Sequence, residues 1–148
     1  MGHTNYWITK TYKEIGNPDY ELEFAFRARD VLNEIIKSGI VLADESGEKI
    51  FENAEQIIPN PSFNTICFNG LANESYDLDK SCEPFKFTLD GTKKFCKTNN
   101  KPYDIAVKSL LILAKENGIL KEFSFDGLEN NPNYLKALEF CELLWEKE

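Results

Sequence analysis

Bulky apolar residues recur at intervals of three and four positions in three stretches of the chain, which is the helical period. The first stretch begins at Asn17-Pro18, an N-cap residue followed by proline at the first helical position, and ends at Ser38-Gly39. The second runs from Lys101-Pro102-Tyr103 to Asn117-Gly118, and the third follows Asn131-Pro132. The pattern predicts three helices. The second is apolar over more than half its circumference, so we expect it at the centre of the core.

Bulky and polar residues alternate between these helices, a period of two that is typical of strands. Strands are predicted within residues 4–12, 64–69, 85–89 and 122–125, and a short hairpin is predicted from residues 40–42 and 49–51. Residues 57–63 contain two prolines and residues 71–84 are acidic without a regular period, so both segments are predicted to be loops.

The element order is β, α, several β, α, β, α, with no repeat and no linker. It predicts a single α+β domain spanning residues 1–148, in which a mixed or antiparallel sheet of about five strands packs with three helices, a single layer of each. A domain of this length buries roughly two thirds of the surface of its unfolded chain. It needs no disulfide or metal to be stable.

The net charge of the chain limits which kinds of partner it can bind. The chain has 17 Lys and Arg against 25 Asp and Glu, a net charge of -8, so its overall field repels polyanions. We therefore expect no binding of extended nucleic acid. Binding of a single phosphate or nucleotide in a local pocket is not excluded, because a few nearby lysines can outweigh distant negative charges.

The four cysteines, Cys67, Cys82, Cys96 and Cys141, include no Cys-x-x-Cys pair, and one histidine is present. We therefore predict no metal site, no cofactor and reduced thiols. The amino terminus lacks a basic-then-apolar signal, and the longest apolar run is too short for a bilayer. These features predict a cytoplasmic protein without a membrane partner. They do not exclude a homo-oligomer.

The segment of residues 95–104, Phe-Cys-Lys-Thr-Asn-Asn-Lys-Pro-Tyr-Asp, is the strongest candidate for chemistry. A helix amino terminus has unpaired N–H groups, and Lys97, Thr98 and Lys101 stand close to it, which suits a phosphate or carboxylate. The alternative is structural: Asn100 caps the helix, Asp104 complements its dipole, and the lysines are solvated.

Other candidates stand where strands end, which is where binding loops gather on such a scaffold. Glu83 and Asp126 could form a carboxylate pair for acid–base work or for Mg²⁺, and both also fit turns. Alternation along the first strand separates Tyr6 from Trp7, and His3 is an exposed residue or a general base. No catalytic residue is assigned. The predicted ligand-binding residues are Tyr6, Asn69, Glu83, Lys97, Thr98, Lys101, Tyr103 and Asp126.

Several of these motifs also resemble those of a family of small uncharacterised proteins of phage and bacterial genomes. The resemblance rests on the opening Met1-Gly2-His3-Thr4-Asn5-Tyr6-Trp7, on Phe68-Asn69-Gly70 and Cys82-Glu83-Pro84-Phe85, on residues 95–104, and on Ser124-Phe125-Asp126-Gly127. The family often has a histidine near the position of Asn5, which this chain lacks. The resemblance implies positions and a phage setting, and no chemistry.

The favoured function is therefore a non-catalytic protein that holds a small anionic molecule, with a nucleotide as the leading candidate. A phage setting suggests that such a protein sequesters a signalling nucleotide of the host. One alternative is a small hydrolase or transferase with Glu83 or Asp126 as general base. Another is an inhibitor that binds a protein through the acidic loop of residues 71–84.

Overall fold

Five helices and five strands make up the regular structure of the described part of the chain. The computed structural model describes residues 3–146, with side chains described as far as Glu142; Met1 and Gly2, which open the amino-terminal motif, lie outside the described residues. The elements are β1 (Thr4–Thr9), α1 (Tyr12–Ile15), α2 (Pro18–Lys37), α3 (Ala54–Ile57), β2 (Ile66–Phe68), β3 (Phe85–Phe87), β4 (Lys93–Lys97), α4 (Asp104–Glu116), β5 (Leu120–Phe125) and α5 (Pro132–Glu146).

The strands form two antiparallel sheets. One has three strands in the order β4-β1-β5, and the other pairs β2 with β3. The α+β class and the antiparallel pairing confirm the prediction, and the strand count is five. The structure differs from the prediction of one sheet of about five strands in one respect, because β2 and β3 pair separately from the other three.

Two of the helix starts are confirmed by their caps. The Asn17 side chain accepts a hydrogen bond from the Asp19 N–H at 3.0 Å, and Pro18 is the first residue of α2. Asn131 accepts from the Tyr134 N–H at 3.0 Å before α5. Each cap satisfies an N–H group that the helix itself leaves unpaired.

Three local predictions need correction. The predicted hairpin of residues 40–51 is reduced to an isolated bridge between Ala43 and Ile50. The first strand stops at Thr9 and a capping box starts α1, in which the Thr11 hydroxyl accepts from the Glu14 N–H and the Glu14 carboxylate accepts from the Thr11 N–H. The single turn α3 was not predicted, and its last residue, Ile57, is the first residue of the predicted loop 57–63. Strand β4 was not predicted at all.

Helix α4 is the central helix, as predicted, and contacts α2, α5 and β5. Strand β1 turns Asn5, Trp7 and Thr9 toward the core and turns Thr4, Tyr6 and Ile8 toward the other face of its sheet. Among the described residues, none of the helices is both long enough and apolar enough to cross a bilayer.

Candidate functional site

A surface depression of about 670 Å³ lies beside the end of β4. Most of its lining is polar, and it combines two lysines, an aspartate, a hydroxyl and an aromatic ring. The residues that matter for its chemistry are Tyr76, Asp79, Ser81, Lys97, Asn99 and Lys101.

The chain reaches the depression through a tight turn. Asn99 and Asn100 both have left-handed backbone angles, with φ of 54° and 57°, and the Lys101 N–H donates to the Thr98 carbonyl at 3.1 Å. This is a type I′ turn, in which asparagine is favoured because it tolerates a positive φ better than most residues. The turn places Lys97 and Lys101 at the same depression.

The two lysines differ in whether their ammonium groups already have hydrogen-bond acceptors within the protein. The Lys101 ammonium donates to the Asp79 carbonyl at 2.8 Å and lies 5.7 Å from the centroid of the Tyr76 ring, which is 86% exposed. Lys97 is exposed, and its ammonium has no acceptor among the described residues. Lys97 is therefore the cation that is available to a ligand.

Asp79 contributes the negative charge of the depression. Its carboxylate accepts from the Ser81 hydroxyl at 2.6 Å and from the Ser81 N–H at 3.0 Å. These hydrogen bonds hold the pKa of Asp79 below its usual value, so the group stays ionised at neutral pH. Asp79 therefore places a negative charge in the same depression as Lys97.

Thr98 and Tyr103 do not line the depression. Both are fully buried, the Thr98 hydroxyl donates to the Asp104 carboxylate at 2.7 Å, and the Tyr103 hydroxyl donates to the Glu83 carbonyl at 2.6 Å. Burial raises the pKa of Tyr103, so its hydroxyl stays protonated. The expectation that these two side chains contact a ligand directly is wrong, since their polar atoms are used inside the protein.

The start of α4 is also unavailable. The N–H groups of Asp104, Ile105 and Ala106 donate to carbonyls of residues 101–103, at 2.9 to 3.1 Å. Asp104 itself is buried at this end of the helix. The expected anion site on free N–H groups of this helix is therefore wrong, as is the alternative in which Asn100 caps it, since Asn100 belongs to the turn.

Asn69 and Glu83 position the chain around the depression. The buried Asn69 side chain donates to the carbonyls of Glu45 and Cys82, and accepts from the N–H groups of Gly70 and Cys82. It thus joins the two ends of the predicted loop 71–84. The Glu83 carboxylate accepts from the Lys97 N–H at 2.7 Å. Asn69 has no remaining capacity for a ligand.

Tyr6 and Asp126 lie elsewhere on the sheet. Tyr6 is on the outer face of β1, and Asp126 follows β5, where its carboxylate accepts from the Thr4 N–H at 3.0 Å. Glu83 pairs with Lys97 of β4, Lys97 pairs with Thr4 of β1, and Thr4 pairs with Asp126, so three strand spacings of about 5 Å separate Glu83 from Asp126. The structure does not bring them together as a carboxylate pair. Within residues 3–146, no three potential metal ligands cluster.

A buried polar network lies beneath the turn, and sequence reasoning missed its centre, Lys108. This lysine is 0% exposed, and its ammonium lies 2.7 Å from an Asp104 oxygen, 2.9 Å from the Asn5 side-chain oxygen and 2.7 Å from His3 Nε2. The three protons of the charged ammonium group thus have three acceptors, on Asp104, Asn5 and His3. This arrangement requires an unprotonated Nε2, so we assign His3 as neutral with its proton on Nδ1.

Asp104 is the matching anion. It also accepts from the Asn5 amide at 2.7 Å and from the Asn133 amide at 3.0 Å, in addition to Thr98 and Lys108. Burial alone would raise the pKa of Asp104, but the Lys108 charge and these donors outweigh burial and keep the pKa low. Burial lowers the pKa of Lys108, and Asp104 only partly reverses that effect.

The network holds charge but offers no access for a substrate, since its side chains are all buried or nearly so. The spacing of Asp104 and Lys108, four residues apart on one helix, is the only sequence signal that pointed to it. Comparison of the chain with protein-family models, curated proteins and solved structures finds no match.

Proposed function

We propose that the protein binds a small anionic molecule in the depression beside β4, with a nucleotide as the leading candidate. The observation that carries the proposal is the placement of Lys97 and Lys101 at one depression in a chain whose net charge is -8. Positive charge gathered at one place on an acidic protein favours a compact anion over a polyanion.

Lys97 and Tyr76 would make different contacts. The Lys97 ammonium would pair with a phosphate or carboxylate, since it has no acceptor of its own among the described residues. The exposed Tyr76 ring offers a flat apolar surface on which a base can stack, a contact typically worth about 1–3 kcal/mol. A ligand with both an anionic group and a ring would use both residues.

Asp79 limits which anions fit. It stands in the same depression and stays ionised, so a second negative group placed near it would be repelled. We therefore expect a ligand with its charge at one end, such as a nucleoside monophosphate, to bind more tightly than inorganic phosphate. Binding should weaken as salt is added, since the contacts are exposed.

Isothermal titration tests the proposal with a panel of nucleoside monophosphates and triphosphates, a nucleoside and inorganic phosphate. Lys97→Ala should weaken binding of the best ligand about tenfold, the usual cost of one charge-assisted contact, and Tyr76→Ala should weaken nucleotides but not inorganic phosphate. Lys37→Ala is the matched control, because Lys37 is an exposed lysine at the end of α2.

Two results would reject the proposal. One is that the intact protein binds no member of the panel. The other is that Lys97→Ala binds as well as the Lys37→Ala control. Sequestration of a signalling nucleotide, the role suggested by a phage setting, additionally requires that the bound ligand be recovered chemically unchanged after incubation.

A further inference from the structure

The outer face of the β4-β1-β5 sheet is uncovered by any other described element. Its side chains are half-buried on the central strand and exposed on both flanking strands. The strand register sets them in two rows of three across the sheet, namely Phe95, Tyr6 and Ser124, and then Lys93, Ile8 and Glu122.

Charge is separated across this face. Lys93 stands on β4 at one side and Glu122 stands on β5 at the other, and neither has an ion-pair partner among the described residues. The central strand β1 contributes Tyr6 and Ile8 to this face, and Phe95 on β4 is 66% exposed. A large exposed ring beside Tyr6 and Ile8 is an apolar patch of the kind that marks an interaction surface.

A second copy of the chain has the complementary pattern. When two such faces meet about a two-fold axis parallel to the strands, β4 of each copy lies over β5 of the other, so Lys93 faces Glu122 of the second copy. A two-fold axis perpendicular to the strands would instead lay β4 over β4 and bring like charges together. We propose that two copies of this chain pair through this face, about the axis parallel to the strands.

The pairing is expected to be weak. Three strands about 5 Å apart form a face much smaller than the roughly 800 Å² that each partner buries in a standard interface. A dissociation constant of tens of micromolar or more is therefore expected, and the monomer and dimer exchange. Neither row contains a residue of the depression, and Lys97, two positions after Phe95 on the same face of β4, lies one row beyond them.

Sedimentation equilibrium over about 10 to 500 µM protein at low salt tests the pairing. We expect the wild-type mass to rise with concentration. Lys93→Glu and Glu122→Lys should each weaken pairing about tenfold or more, because each places like charges opposite each other twice. Lys37→Glu is the control for a change of net charge alone, and thermal melting confirms that each variant is folded.

Restoration is the decisive measurement. Combining Lys93→Glu with Glu122→Lys in one chain should restore pairing to near the wild-type strength. An equimolar mixture of the two single variants should pair as well, because opposite charges then face each other at both positions. A wild-type protein that stays monomeric throughout, or single variants that behave like the Lys37→Glu control, would overturn the proposal, as would failure of both restorations.

Discussion

Replacing the buried ammonium of Lys108 is the sharpest test of how the core is held together. Methionine keeps a long unbranched side chain and removes the charge, so Lys108→Met leaves little cavity and isolates the electrostatic effect. It leaves Asp104 ionised and buried without its cation, and it leaves Asn5 and His3 Nε2 without their donor. We expect the free energy of unfolding at pH 7 to fall by about 3–5 kcal/mol.

The magnitude follows from the geometry. Two unit charges 2.7 Å apart attract by about 6 kcal/mol at an effective dielectric constant of about 20, and desolvation offsets a large part of this. Each acceptor left without a donor adds about 1–3 kcal/mol. Asn5, Thr98 and Asn133 still donate to Asp104 after the change, which keeps the total within the range for a broken buried pair.

Guanidinium denaturation at pH 7 measures the loss for Lys108→Met, for Asp104→Asn and for the double variant. The double variant should lose clearly less than the sum of the two single losses, since neither charge is then left alone. Lys115→Met is the control, because Lys115 is exposed on the same helix.

The pH gives an independent check of the same reasoning. In Lys108→Met the uncompensated Asp104 can be protonated as the pH falls, so the deficit relative to wild type should shrink toward pH 4. A loss below about 1 kcal/mol at pH 7, or single losses that simply add in the double variant, would refute the idea that this pair is coupled.

Three further predictions concern other parts of the structure. Burial, and to a lesser extent the Lys108 charge, lowers the pKa of His3, so below pH 6.5 the unfolded chain binds a proton before the folded chain does. The free energy of unfolding should therefore fall with decreasing pH, with a slope of up to about 1.4 kcal/mol per pH unit. Denaturation curves of His3→Gln should lack that slope. At Asn99, where φ is 54°, alanine should cost about 1 kcal/mol in thermal melts while glycine is neutral or slightly stabilising, and equal effects would contradict the turn assignment. Gly70→Ala should cost about 3 kcal/mol or more in denaturant, because its Cβ would overlap the Lys80 carbonyl oxygen, and an unchanged midpoint would contradict that close approach.

The starts of α2 and α5 could be predicted because their causes are local. Asn17-Pro18 and Asn131-Pro132 act on N–H groups within three residues, so a short stretch of sequence contains the whole signal. Strand β4 carries no comparable signal. Three of its five residues are lysines, and it becomes a strand through pairing with β1, which lies about ninety residues earlier.

The depression borders the segment of residues 95–104, but which side chains of that segment face it could not be predicted. Alternation along β4 and the turn after it sends Lys97 to the surface and Thr98 into the core, which residue types alone do not reveal. The buried network was beyond prediction for a different reason. Asn5 and Asp104 are 99 residues apart, and His3 and Lys108 are 105 apart, so only the folded chain brings them together.

The buried network and the depression are joined through the adjacent residues Thr98 and Lys97. Variants at these two positions should therefore affect stability and ligand binding differently. Thr98 is bonded to Asp104 inside the protein, while Lys97, its neighbour, faces the depression. Thr98→Val removes that bond, so it should lower stability by about 1–2 kcal/mol and weaken the proposed nucleotide binding only through the position of Lys97. Lys97→Ala should weaken binding without lowering stability. If both variants lowered stability equally and neither changed binding, the depression would have no ligand role, and the segment would have a structural role alone.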